Sequence, residues 1–453
     1  MIQSRPDLTT ASLLPKLRHL FELSAGKIRS IEKIWTPVQG APVFTVGGRY
    51  TSRGWTEWTQ GFQFGSALLQ FDASGEAEFL KAGRERTVDL MAPHVTHTGV
   101  HDHGFNNLST YGNLLRLMNE GRISEDAWER RYYKLALKCS GAVQAARWSR
   151  IAGGGGFIYS FNGPHSLFVD TIRSVRSLVV SHLLGHALMG ENDRKISLLE
   201  RAVQHMDSTA KYSVYYGEGR DIYDVRGRVV HESIFNSNDG NYRSPNSQQG
   251  YSPFSTWTRG LAWAMCGFAE QLEFFDTLSG EELAPVGGRA AISGMIEKAA
   301  RATCDFYIEN TPPGGVPYWD TGAPGLAHLG DWRSQAADPY NAYEPVDSSA
   351  AAIAAQGLLR LGRHLKDNRY WQAGLAVCDT LFAEPYLSTD EAHQGLILHS
   401  VYHRPNGWDA IPKGAQVPAG ESSMWGDYHA REVALYLMRA AEGKPYLTFW
   451  PKG

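Results

Sequence analysis

The chain has 453 residues, 43% of them hydrophobic and 20% charged, with a formal net charge of −3 at pH 7. That balance fits a soluble globular protein with a large core, and it offers no basic stripe for a phosphate backbone or an acidic membrane, so neither nucleic acid nor membrane is an expected partner. Four widely spaced cysteines (Cys139, Cys266, Cys304, Cys378) with no C-x-x-C pair argue against a disulfide framework or a structural zinc site.

The opening segment, MIQSRPDLTTASLLPKLRHLFEL, lacks an uninterrupted apolar stretch and a small-residue cleavage pattern. No run reaches the roughly 18 apolar residues of a membrane span. A cytoplasmic protein is expected. From there helical periodicity dominates. Apolar residues recurring at three and four predict helices over 13–34, 60–71, 76–90, 109–119, 124–147, 167–190, 192–211, 257–275, 289–309, 348–366, 368–384 and 427–441. Clear β alternation is confined to short stretches such as YSVYY at 212–216. Several helices carry stripes of small residues: Gly61, Gly65 and Ala67; Gly260, Ala262, Ala264 and Gly267; Ala350 through Ala355. Small residues let helices pack closely in an inner ring. Six helix pairs in a toroid would take about 75 residues each from 453. No sequence repeat of that period is visible, so the toroid rests on helix count and texture. With no linker or low-complexity break, 1–453 is expected to be one domain.

Two loops look like ligand motifs and are not read as such. GGGG at 153–156 has no Lys-Ser/Thr after it and no strand before it, so a loop between helices is expected rather than a phosphate cradle. NSNDGN at 236–241 lacks the glutamate of a calcium loop and reads as a turn. The richest stretch is HVTHTGVHDHGF (94–105), with four histidines around Asp102. His97 and His101 on a helix would suit zinc. Pro93, Gly99 and Gly104 make a loop the better reading, and no H-E-x-x-H or facial-triad spacing is present. Asp170 stands at the start of an apolar helix, where a carboxylate is favoured in any case. In STWTRGLAW, Arg259 and Trp263 are four apart and share a face beside the loop that holds Gln249. They make a plausible site for an anionic sugar, although Arg259 could equally cap a buried carboxylate or stack on Trp263. Thirteen Trp and 21 Tyr, many beside Gly, Asn, Gln or Asp, suit a sugar cleft as well as a large core.

Taken together, EWTQGF (57–62), HDHGF (101–105), FVDTI (168–172), QGYSPFSTWTRGLAW (249–263), GGVPYWD (314–320), PVDSSAAAIAAQGLL (345–359) and WGDY (425–428) resemble the unsaturated glucuronyl hydrolases of glycoside hydrolase family 88. The resemblance spans about 57 to 440. It implies an all-α (α/α)6 barrel and an enzyme that removes a Δ4,5-unsaturated uronic acid from the non-reducing end of lyase-generated oligosaccharides, with no cofactor and no metal. It places the acid/base at Asp170 and the assisting carboxylate at Asp102. Trp58 and Phe161 follow as walls of the sugar site, and His231, Gln249, Arg259 and Trp263 as uronate-binding residues. The related unsaturated rhamnogalacturonyl hydrolases share this toroid and chemistry. The chain departs from the family pattern at Arg173, three residues past Asp170, where it would depress the acid's pKa if it faced it. That departure motivates a further alternative, a sugar-binding toroid without catalysis. In HSVYHRP, Ser400, His403 and Pro405 stand where some relatives carry a sulfate-reading Ser and Lys. The missing Lys argues against a sulfated fragment as preferred substrate.

Overall fold

The computed structural model describes residues 1–54, 57–445 and 447–450. Twelve principal helices follow in order: α1 (Thr10–Ile34), α2 (Gln60–Ser74), α3 (Ala77–Leu90), α4 (103–119, with a π-turn at Leu108–Gly112), α5 (Ala127–Ala146), α6 (171–183, slightly broken at Val175), α7 (Leu198–Tyr212), α8 (Thr258–Phe275), α9 (Arg289–Asn310), α10 (Ser348–Leu365), α11 (Asn368–Leu381) and α12 (Met424–Ala441). The even-numbered helices pack side by side in a closed inner ring, α2 on α4, α4 on α6 and so on to α12, which returns to α2. Each odd-numbered helix covers the outside of that ring. This is the (α/α)6 barrel the sequence implies.

Burial explains the two layers. In α8 and α10 nearly every residue is buried, most of them apolar or small, with a few paired polar groups such as Arg259, Glu270 and Arg360 among them. The outer α7 buries one stripe, including Leu198, Leu199, Ala202, His205, Met206 and Thr209. The small-residue stripes serve the inner contacts: a Cβ at Gly357 would come 2.8 Å from the backbone nitrogen of Cys266 on α8. Side chains cap the helix starts. Asp126 accepts from Trp128 and Glu129, Ser197 from Glu200, and Asp347 from Ser349 and Ala350.

The inner helices run parallel around the ring, and their N-terminal ends gather at one mouth where the functional candidates lie. The predicted helix over 167–190 begins later, because Ser166–Phe168 is a strand. It pairs antiparallel with Glu232–Phe235, which pairs with Tyr242–Asn246. This small sheet delivers the chain to Asp170, the residue just before α6. The GGGG loop is likewise not interhelical. It closes a hairpin between Trp148–Arg150 and Gly156–Ile158. NSNDGN is a hairpin turn, with the Asn236 amide donating to the Asn241 carbonyl at 2.8 Å. Of YSVYY, only Val214 pairs, in an isolated bridge to Val229. Among the described residues no helix is long and apolar enough to cross a membrane.

Candidate active site

A pocket with a cavity volume of about 140 Å³ opens at the mouth. Trp58, Phe161, Trp257, Trp263, Tyr402 and Trp408 supply aromatic wall, and Asp102, Asp170, Gln249 and Arg259 supply polar groups. Each comes from the N-terminal side of an inner helix or the loop leading to it. Backbone N–H groups and helix dipoles at such ends favour negative charge, so the mouth is disposed toward an anionic ligand.

His101 joins the two carboxylates. Its Nε2 lies 3.2 Å from Asp170 Oδ1 and 3.7 Å from Asp102 Oδ1. All three side chains are almost wholly buried. The turn carrying Asp102 is clamped to α6. The Gly104 amide donates to Ser174 Oγ at 2.9 Å, Ser174 Oγ donates to the His101 carbonyl at 2.7 Å, and Arg176 Nε donates to the Gly104 carbonyl at 2.9 Å. Gly104 is required here by close approach: a Cβ would sit 2.2 Å from the Ser174 carbonyl oxygen. The spacing of the two aspartates is therefore set by backbone packing between neighbouring inner helices.

The electrostatics separate the pair. Burial pushes the Asp102 carboxyl above its ordinary value, the negative charge of Asp170 adds to this, and His101 opposes it. Asp170 feels the same burial, yet its hydrogen bond to His101 and the nearby positive charge hold it below the ordinary value. Burial disfavours a charged His101, but Asp102 and the Asp170 hydrogen bond outweigh it and raise the ring above 6.5. Two carboxyl groups and an imidazole this close share their protons as a unit. Environments that pull neighbouring acids apart are a hallmark of acid/base sites.

Both terminal nitrogens of Arg259 are held by the protein. Nη1 donates to Asp347 Oδ2 at 3.0 Å and to the Val401 carbonyl, and Nη2 donates to Gln249 Oε1 at 3.2 Å and to the Tyr402 carbonyl at 2.7 Å. Its guanidinium lies between Trp257 and Trp425, 4.5 and 4.9 Å from the ring centres. It thus caps a buried carboxylate and stacks on aromatic rings, though not on Trp263. It still lines the pocket and clamps Gln249. Trp263 lines the pocket one turn along and packs on Phe105 at 4.8 Å. His231 stands behind the wall instead. Its Nδ1 accepts from the Gln248 and Gln249 amides at 3.0 and 3.4 Å, and burial lowers it to about 4. Trp58 stacks on Trp425 at 5.1 Å, and Phe161 stacks on His101 at 5.8 Å.

Arg173 turns away from Asp170. It pairs with Glu270 at 2.6 Å and Glu432 at 3.0 Å inside the ring, in a buried cluster that also holds Arg176 and Arg360. It therefore neither depresses Asp170 nor reaches substrate. The remaining histidines of the 94–105 stretch diverge. His94 bonds Asn106, His103 bonds Ser140 and the His97 carbonyl, and burial lowers both to about 4. His97 is exposed.

Sequence reasoning passed over His101 as a bridge and Trp257, Tyr402, His403 and Trp408 as pocket walls. The HDHGF motif points at His101 only through adjacency to Asp102. Trp257 lies inside STWTRGLAW and His403 inside HSVYHRP without being read as walls, and Tyr402 and Trp408 carry no pattern separating them from core aromatics.

No family model matches the chain. It is 26% identical over 394 residues to the unsaturated glucuronyl hydrolase of Formosa agariphila, covering 83% of this chain and 79% of that protein. It is 26% identical over 404 residues to the unsaturated glucuronyl hydrolase of Bacillus sp. strain GL1, covering 86% and 89%. The crystal structure of the Bacillus enzyme superposes with a TM-score of 0.70 at 21% identity over 94% of this chain and 97% of that one. The unsaturated glucuronyl hydrolase of Streptococcus agalactiae superposes with a TM-score of 0.72 at 18% identity over 98% and 94%.

Proposed function

We propose that this chain is an unsaturated glucuronyl hydrolase, which removes a Δ4,5-unsaturated uronic acid from the non-reducing end of oligosaccharides left by polysaccharide lyases. The observation that carries the reading is the Asp102–His101–Asp170 constellation, buried in an aromatic-walled pocket at the positive ends of the inner helices.

The bond at issue is a vinyl ether. An acid gives its proton to C4, which leaves positive charge shared between C5 and the ring oxygen. Water adds at C5 and surrenders a proton to a base. The resulting hemiketal opens, C1 becomes a hemiacetal, and that collapses to an aldehyde and the freed aglycone. One water is consumed in all. Asp170 is the acid/base, and Asp102 orients the incoming water. In the free site His101 keeps Asp170 ionised while Asp102 retains the higher proton affinity. Substrate brings a carboxylate of its own and expels water, and both changes raise the proton affinity of Asp170 as the Michaelis complex forms. Gln249 is fixed at both ends of its amide, its oxygen accepting from Arg259 at 3.2 Å and its Nε2 lying 3.5 Å from His231 Nε2, and lines the wall against which the uronate would rest. Trp58 and Phe161 offer ring faces to the sugar's C–H surface.

With Arg173 held by glutamates, nothing in its placement favours a toroid without catalysis. The whole chain acting as one catalytic unit in the cytoplasm is part of the proposal, supported by four cysteines that remain unpaired. The test is a panel of lyase-generated disaccharides followed by far-UV absorbance of the conjugated enol ether. Decay on at least one is expected. Binding without decay on every member would refute the hydrolase reading.

A further inference from the structure

Beside the pocket, the wall-forming segment continues into rings that face solvent. Gln248, Gln249 and Trp257 line the pocket. Between them Tyr251 is 51% and Phe254 44% exposed. Tyr223 stacks on Phe254 at 4.7 Å between ring centres, and Ile222 and Val225 flank it in the open. Exposed aromatic and large apolar side chains gathered beside a pocket are candidates for a contact site.

The backbone beneath it is tied down. Asp224 accepts from the amides of Gly217, Glu218 and Arg220 at 2.8–3.0 Å. Arg228 donates to the Pro253 carbonyl at 3.1 Å, and Arg220 and Arg228 both lie 3.6 Å from the Tyr215 ring centre. Ser252 Oγ accepts from the Phe254 and Ser255 amides, and the Tyr251 amide donates to Asp320 at 2.8 Å. Rings held in place lose little entropy on binding.

We propose that Tyr251, Phe254 and Tyr223 form a ledge that binds the pyranose rings on the reducing-end side of the same substrate, beyond the unit in the pocket. The inference rests on the hydrolase reading and adds a chain-length preference to it. Tyr251 follows Gln249 by two residues, which keeps their Cα atoms within about 7 Å, and Phe254 follows by five, within about 18 Å. A chain leaving the pocket past Gln249 has these rings within reach. Their faces match the C–H side of a sugar, and the Tyr hydroxyls can reach its edge.

The experiment compares kcat/KM for an unsaturated disaccharide and the tetrasaccharide of the same repeat, in the natural enzyme and in Tyr251→Ala/Phe254→Ala. The natural enzyme should prefer the tetrasaccharide, and the double variant should lose about five- to ten-fold on it alone. No preference in the natural enzyme, preference retained in the variant, or equal loss on both substrates would overturn the ledge. So would a dimer in sedimentation that the variant abolishes, because the rings would then face a second copy. If neither substrate is turned over, the hydrolase reading fails. Calorimetric binding of the two sugars then reads the ledge separately: weakened binding of the tetrasaccharide alone supports it, and unchanged binding overturns it.

Discussion

Replacing Gly104 with alanine tests whether packing between α4 and α6 sets the acid pair. The added Cβ would lie 2.2 Å from the Ser174 carbonyl oxygen and 2.5 Å from its Cα, where ordinary contact begins at 3.4 Å. The turn and the helix must separate by roughly 1.2 Å, the difference between those contacts. They cannot slide past each other cheaply, because Gly104 and His101 are both hydrogen-bonded to Ser174 Oγ. Asp102 is two residues from the insertion, and Asp170 is four residues before Ser174. A misplacement near 1 Å costs on the order of 100-fold in rate, and overpacking costs about 1–3 kcal/mol of stability. Turnover of an unsaturated disaccharide by absorbance, paired with chemical denaturation, gives both quantities. A fall in kcat of about 100-fold is expected, with a smaller change in KM. Gly26→Ala is the control, since nothing lies within 4 Å of its added carbon. A Gly104→Ala enzyme with kcat within two-fold of the natural one would refute the claim that this contact sets the carboxylate geometry.

Other outcomes follow from the same site. Arg173→Leu removes the nearest buried partner of Glu270 and Glu432, leaving them only the longer contacts to Arg176 and Arg360, and should cost about 3–5 kcal/mol in denaturation, while the pH profile of kcat stays in place; a shifted profile would show that Arg173 does act on Asp170. Ring NMR should find His101 titrating above 6.5 and His94 and His103 near 4, and Asp170→Asn should lower the His101 midpoint by removing the negative charge that its ring faces. Because the folded protein holds the His101 proton more tightly than the unfolded chain, the stability it contributes is complete below pH 6.5 and is lost as pH rises through its folded value. His101→Gln should flatten that decline, measured as melting midpoint against pH.

Helix count and order were legible because each layer has its own pattern. Outer α7 shows a one-sided stripe, and inner α8 and α10 show mostly apolar and small residues on every side. The start of α6 was misplaced because Leu167 and Phe168 continue its apolar spacing while belonging to a strand pinned by Glu232–Phe235. The GGGG hairpin was missed because its flanking strands are only three residues long. In the site, Asp102, Asp170, Gln249 and Arg259 could be named from motifs, and the structure brings them to one pocket. What no local pattern encodes is the direction of a long side chain. Arg173 and Arg259 are both buried arginines near the mouth, yet one turns into a glutamate cluster and the other into the pocket wall. The bridging role of His101 depends on α4 and α6 meeting at Gly104 and Ser174, a contact between residues 70 positions apart.

The most direct test of the acid/base assignment is Asp170→Asn, followed by absorbance of the conjugated enol ether and by sugar binding. The account predicts that turnover disappears while the fold and the affinity for an unsaturated disaccharide persist. Continued decay of the absorbance at a rate near that of the natural enzyme would contradict it.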